Sequence, residues 1–304
     1  MPAHIKFDDA WQQIPHSDRT TAKTVWHYTN ATGLKGIIES TSLWATSTIA
    51  LNDTREVEYG LDLVRGLWRE MRVTEVQDAA SRRLSDLLGD ELASGTLALD
   101  IHVVSASTDD DSLNQWQGYA EAQGYAIGFA PNLRFAPFAM SDAIPDDPVP
   151  MLGAWYDVVY DPEVQRSMAT ESIEYALRFL RAPGPIEERG FHLPIILGTV
   201  IARLKHPAFA AEREVRMITA DLGDDGFRVG PHGIVPFKTL MPADPNGHLV
   251  VTAPWSLLPI VGVRCGPTDS PSGALSARRG VERLLRAYGY GEAQVDSSSV
   301  PYRT

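Results

Sequence analysis

Two periods alternate along this chain. Apolar residues spaced by two mark strands, and those spaced by three and four mark helices. The run TVWHYT, Thr24 to Thr29, predicts a first strand by its β-branched and aromatic content. A short helix is predicted from Gly33 to Glu39, with Leu34, Ile37 and Ile38 on its apolar face and Asn30 or Thr32 as cap. SLWATS, Ser42 to Ser47, predicts a second strand. Helical spacing returns from Arg55 to Arg72 through Val57, Leu61, Val64, Leu67 and Trp68. It returns again from Glu75 to Leu92, with Val76, Leu84, Leu87 and Leu88 inward.

The centre of the chain is richer in strands. Leu97 to Ser107, Gly124 to Ala130 and Ala154 to Tyr160 read as strands, with a Pro-rich loop from Pro131 to Pro150. The acidic run Asp109 to Asp111 precedes a short helix, and Asp111 or Ser112 is its expected cap. Helices are predicted over Pro162 to Arg181 and Glu188 to Lys205. After a turn at Asp221 to Asp225, short strands follow at Phe227 to Val229 and Gly233 to Phe237, then a buried one at Leu257 to Cys265. A last helix, Ala274 to Tyr288, is stopped by Gly289 and Gly291, and Ala293 to Ser297 forms a last strand. No repeat period or linker divides the pattern. It describes a polar arm over 1–22 and one α+β domain over 23–304, with an inserted helical block.

The most informative stretch is PAFAAEREVRMIT, Pro207 to Thr219. Read as an extended strand, it projects Glu212, Glu214 and Arg216 from one face. Such a face either lies on solvent, with cross-strand ion pairs, or lines a polar cleft. Neighbouring carboxylates raise one another's pKa, and an adjacent arginine lowers it. A site that stabilises a developing cation uses such groups.

Composition narrows the classes. The 304 residues are 44% hydrophobic and 22% charged, an ordinary globular balance, with a net charge of -12. An acidic surface opposes non-specific attraction to phosphate backbones and anionic lipid. The single cysteine, Cys265, lies at an apolar strand end and reads as packing, with no intramolecular disulfide and no disulfide-linked partner. The first residues lack a basic start with an apolar stretch, and no window is long and apolar enough to span a membrane. A cytoplasmic protein is expected.

The common nucleotide and hydrolase motifs are missing. There is no G-x-x-x-x-G-K-[ST], no G-x-G-x-x-G after a strand, no G-x-S-x-G and no H-E-x-x-H. One cysteine and scattered histidines give zinc little to bind, and metal binding by the acidic run is the weaker reading beside the cap. Polar residues in strands remain. His27 and Thr29 share a face at spacing two and suit hydrogen bonds to sugar hydroxyls, although a lone strand histidine is usually a satisfied core residue. Ser105 and Ser107 repeat that spacing. Trp116 and Tyr119, at i and i+3 of the short helix, offer flat surface for a heteroaromatic ring. Asn52, Asp53 and Glu56 gather at a helix start, as a cap or as ligand groups.

Several segments together carry a resemblance: WHYTNATGLKGIIESTSLWATS, LNDTREVEYG, SASTDDDSLNQWQGYAEAQGYAIGFA, EREVRMI and SSSVPYR. From Val25 to Arg303 the chain resembles a bacterial family known by its domain of unknown function, DUF2971, which is similar in plan to ADP-ribosyltransferases. That resemblance implies an α+β fold with a split antiparallel or mixed sheet core and helical insertions. It implies NAD as substrate, in a toxin, phage-defence or regulatory setting. Those enzymes carry a first-strand H-x-[ST] histidine, an aromatic over nicotinamide, and a glutamate on a late strand. His27 with Thr29 and Glu214 match the first and last, and Tyr119, with Trp116 and Tyr125 as rivals, the aromatic. The implied catalytic set is Glu214 for the ribose cation, Glu212 for the acceptor, and Arg216 to orient Glu214 or keep it ionised. The implied NAD set is His27, Tyr28, Thr29, Asn52, Ser105, Trp116 and Tyr119. Glu212-Arg213-Glu214 also resembles the E-x-E of arginine-modifying members, which carry arginine where this chain has His27. The acceptor stays open between protein, nucleic acid and small molecule. A nucleotide sensor without turnover and an NAD glycohydrolase are the alternatives.

Overall fold

A computed structural model describes residues 18–50, 54–74, 76–91, 101–119, 124–132, 134–137, 151–220, 226–230, 233–243 and 257–301. In chain order the elements are β1 (Val25–Thr29), α1 (Ala31–Ser40), β2 (Leu43–Ser47), α2 (Thr54–Met71), α3 (Ala79–Asp86), β3 (Ile101–Ser107), α4 (Leu113–Tyr119), β4 (Tyr125–Phe129), β5 (Arg134–Pro137), β6 (Met151–Asp157), α5 (Pro162–Arg181), α6 (Ile186–Ile201), β7 (Glu214–Ala220), β8 (Gly226–Gly230), β9 (Gly233–Ala243), β10 (Ile260–Cys265), α7 (Pro271–Ala287) and β11 (Gln294–Ser297).

The local chemistry accounts for most of these boundaries. Asn30 caps α1 by accepting from Gly33 N–H, Asp161 caps α5 ahead of Pro162, and Ser270 caps α7 ahead of Pro271. Gly289, at φ 85, turns the chain back after α7. Val76 is exposed and precedes the helix expected to bury it, because Asp78 caps α3 by accepting from Ser81 N–H. β5 lies inside the stretch read as a Pro-rich loop. Phe135 gives it a fully buried anchor, and Pro137 ends it at the sheet.

The fold is α+β, with one large mixed sheet. All strand pairs are antiparallel except β10 with β11. Six strands close on themselves in the order β3, β2, β9, β5, β6, β7 and back to β3. The remaining arm runs β1, β4, β10, β11. β7 pairs with β3 along its whole length, from Ile101↔Ala220 to Ser107↔Glu214. On its other edge β3 pairs with β2 at His102 and Val103, and with β1 only at Ser107. The sheet therefore forks at Ser105.

The two faces carry separate cores, as period-two alternation requires. Val103 and Ile218 face helices α2, α3, α5 and α6, while Val104, Ala106, Val215 and Met217 face the other core with α1 and α7. Every residue of β7 is buried, so its charged face is not the solvated one a surface strand presents. Thr20 N–H donates to Trp155 O at 2.9 Å, which ties the end of the N-terminal stretch to β6. No helix among the described residues is long and apolar enough to cross a membrane.

Candidate functional site

The site is built where β7 begins. Pro207–Glu212, expected as strand, is a 3-10 turn. Pro207 has no N–H for a ladder, His206 Nδ1 accepts from Ala208 N–H at 3.2 Å, and Arg213 adopts the left-handed region at φ 46. Only from Glu214 does the strand run. Glu214 and Arg216 share its helix-facing side, as spacing two predicts, but Glu212 arrives from the turn. Ser107 Oγ–H donates to Glu212 O at 2.7 Å, which fixes that turn on β3.

Three carboxylates converge on one buried lysine. Lys205, with its side chain 1% exposed, donates to Glu56 at 2.8 Å, Glu212 at 2.7 Å and Glu214 at 2.9 Å. Arg216 donates through Nε to Glu214 Oε1 at 2.7 Å, through Nη2 to Glu214 Oε2 at 2.9 Å and to Glu56, and through Nη1 to Ala202 O at 2.8 Å. Burial pushes the Glu214 carboxyl up, but Arg216 and Lys205 outweigh it and hold the group at about 2. The Ser105 hydroxyl favours the ionised form as well. Lys205 and Arg216 are in turn raised by the carboxylates against the opposing effect of burial. Buried Gln165 holds the Lys205 segment by donating from Nε2 to the carbonyls of Val159 and Lys205, each at 2.7 Å.

The cluster opens at an aromatic rim. Tyr119 is 44% exposed, and burial together with Glu212 pushes its phenol up to about 12. Phe209 lies 5.1 Å from Lys205 Nζ. Tyr160 accepts from Glu214 N–H at 3.0 Å, and burial pushes it up to about 12. Clefts of about 400 Å³, between Leu34, Tyr125 and Leu284, and about 520 Å³, between Thr20, Trp26 and Thr108, lie apart from the cluster, whose interior Lys205 fills.

The other expected site residues divide. His27 Nδ1–H donates to Ser105 O at 2.8 Å, in the fork where the edge of β3 away from β7 has no strand partner among the described residues. Burial lowers the His27 pKa, with the Ser105 bond opposing. With Nδ1 carrying the proton, neutral Nε2 is an acceptor. Ser105 therefore joins His27, through its carbonyl, to Glu214, beside its hydroxyl. Thr29 Oγ1 sits over Gly33, 1.9 Å from where a Cβ would stand. Asn52 and Asp53 lie outside the described residues.

Three expectations are corrected. Trp116 is 2% exposed, packed edge-on against Tyr28 at 4.6 Å, and its Nε1–H donates to Asp111, so it offers no platform. Tyr28 is buried and structural: its hydroxyl donates to Asp109 O at 2.8 Å and accepts from Ser112 N–H at 3.0 Å. Of the two residues expected at the start of α4, the Ser112 carbonyl accepts from Trp116 N–H at 3.0 Å, while Asp111 receives Ser298, Ser299 and Trp116 side chains, fastening the C-terminal segment. Tyr125 lines the first cleft, away from the acids. Among the described residues, no group of three or more His, Cys, Asp or Glu side chains could hold a metal ion. Nothing in the spacing of residues marks Lys205 as the hub, since a turn separates it from Glu212 and Glu214. Glu56, expected at a helix start, pairs with both Lys205 and Arg216.

Comparison with known proteins bears on the middle of the chain. No curated protein and no solved structure matches it. Residues 115–217 match the family model described as "Protein of unknown function (DUF2971)". The matched stretch contains Tyr119, Lys205, Glu212, Glu214 and Arg216, while His27 and Ser105 lie outside it. Over residues 115–217 the chain is thus similar to the DUF2971 family.

Proposed function

We propose that the fork and the adjoining acid cluster form a site for NAD, and that the chain transfers ADP-ribose to an acceptor. The observation that carries this reading is the link through Ser105. A ribose hydroxyl donating to His27 Nε2 would lie at the same residue of β3, Ser105, whose hydroxyl favours the ionised Glu214 carboxylate. In the reaction, the bond between ribose and the nicotinamide nitrogen breaks and its electron pair leaves with nicotinamide. The positive charge on the ribose carbon faces Glu214, a fixed counter-charge that lowers the barrier without reorganisation. The acceptor's nucleophilic atom then bonds to that carbon, and its proton passes to Glu212. Tyr119, exposed beside Glu212, supplies the ring surface for nicotinamide. Consumption of NAD suits a toxin or phage-defence role.

A second reading, recognition of the nucleotide without turnover, is favoured by one observation: Arg216 and Lys205 already occupy both oxygens of Glu214. The test uses NAD labelled in the nicotinamide or in the adenine, incubated with protein and cell lysate. Transfer predicts free nicotinamide and adenine label on an acceptor fraction. Free nicotinamide without acceptor label indicates water as acceptor. Binding without release gives the second reading, and absence of binding overturns both.

A further inference from the structure

Beside the fork stands a charge that has no counter-ion among the described residues. Arg228 lies on β8, between Phe227 and Val229, whose side chains are exposed on the opposite face of the β8–β9 hairpin. Arg228 turns inward. Its Nη2 donates to Thr46 Oγ1 at 3.1 Å, on β2 where that strand leaves β3. Its Nε is buried with no hydrogen-bond partner. Among the described residues no carboxylate pairs with Arg228, whereas Arg216 and Arg264 each have one. Its charge reaches His27, where it adds to burial in disfavouring a second cation.

A guanidinium carries five N–H donors and no acceptor. A buried charged donor left unmade is costly, and native proteins rarely keep one without a reason. The group that complements such a donor is an anion. The planar guanidinium fork matches two oxygens of a phosphate, and Thr46 adds a hydroxyl beside it. Neutral His27 Nε2 accepts, so it takes a sugar hydroxyl rather than a phosphate oxygen. The fork thus presents an acceptor for a sugar next to an arginine with no carboxylate partner among the described residues.

We infer that Arg228 is the anion-binding group of the fork and takes the diphosphate of a nucleotide. For NAD the inference rests on the function proposed above; for the diphosphate alone it does not. The experiment titrates the parent protein, Arg228→Gln and Arg228→Lys with inorganic pyrophosphate, ADP, and nicotinamide riboside, which has no phosphate. Pyrophosphate and ADP should bind the parent and raise its Tm, and the riboside should not depend on Arg228. Arg228→Gln should bind both anions at least about tenfold more weakly, because a charge-assisted bidentate contact is lost. Arg228→Lys should fall between, keeping charge without the fork. Without ligand, Arg228→Gln should melt no lower than the parent, since it removes a partly buried charge that has no counter-ion among the described residues; a purely structural arginine would lower it. Equal anion binding by parent and Arg228→Gln, or no binding to the parent, overturns the inference. Anion binding without nicotinamide release from NAD keeps it and removes the transferase reading.

Discussion

Glu214→Gln keeps the size of the side chain and removes its charge, and the structure sets the scale of two separate losses. The first is stability. The Glu214 carboxyl is held at about 2 against an ordinary value of 4.5. A gap of about 2.5 units, at about 1.4 kcal/mol per unit, corresponds to about 3 kcal/mol. Breaking a buried ion pair by removing one partner costs about 3–5 kcal/mol, so the two routes agree. For a chain of 304 residues that lowers Tm by roughly 5–8 °C. The sign follows from the depressed pKa. This stabilisation is complete above pH 4.5 and is lost as pH falls toward about 2. Denaturant unfolding of parent and variant should therefore differ fully at pH 7, and by about half or less at about pH 3.

The second loss is catalytic. If Glu214 faces the ribose cation, nicotinamide release should fall at least about a hundredfold, or ~3 kcal/mol. NAD affinity should change little, because the cation exists only in the transition state. Both proteins are assayed well below their melting temperatures, so unfolding cannot imitate the effect. Unchanged Tm with an unchanged pH profile refutes the buried network. A folded, destabilised variant with the parental rate refutes the catalytic role alone.

Lys205→Met should destabilise by about 3–5 kcal/mol, since Glu56, Glu212 and Glu214 lose their shared cation. Combined with Glu214→Gln, its cost should be clearly less than additive in denaturant unfolding; strict additivity would mean the pair does not interact. Gly33→Ala puts a methyl 1.9 Å from the present position of Thr29 Oγ1 and must move that hydroxyl. Helix propensity favours alanine by about 1 kcal/mol, so the unliganded Tm should change little while the Tm rise produced by NAD shrinks. An undiminished rise removes Thr29 from the NAD site.

The sequence shows each of these elements to a different depth. Period two was enough to put Glu214 and Arg216 on one face, because side-chain direction along a strand is local. The same reading failed at Pro207–Glu212, where a missing N–H, a histidine cap and a left-handed Arg213 replace the ladder. Trp116 and Tyr119 share a helical face by spacing, yet one is buried and the other exposed. The cause is tertiary: α4 leans on β1, so Tyr28 covers the first ring and leaves the second on the rim. Lys205 was not legible at all. Its meeting with Glu56 depends on how the end of α6 passes α2, where Gly60 lets Ile201 O approach to 2.8 Å of a would-be Cβ. Helix contacts of that kind leave no periodic trace.

The position of the site follows from one property of the sheet. Seven consecutive pairs bind β3 to β7, and the closed circuit of six strands leaves neither strand free to slide. Ser105, Glu214 and Arg216 are therefore held on a rigid surface, which a preorganised charge requires. Where the same β3 passes from β2 to β1, the ladder is interrupted and Ser105 O has no strand partner on that edge among the described residues. An exposed or buried backbone carbonyl must be satisfied. His27 does so, and in doing so it is oriented with its second nitrogen free to accept. The fork thus turns a gap in backbone pairing into a fixed side-chain acceptor, held by the residue of β3 whose hydroxyl supports the ionised Glu214. Rigidity comes from the closed strands and access from the divergent ones; His27 stands on a strand that borders the gap, and Arg228 reaches toward it from β8 through Thr46 of β2.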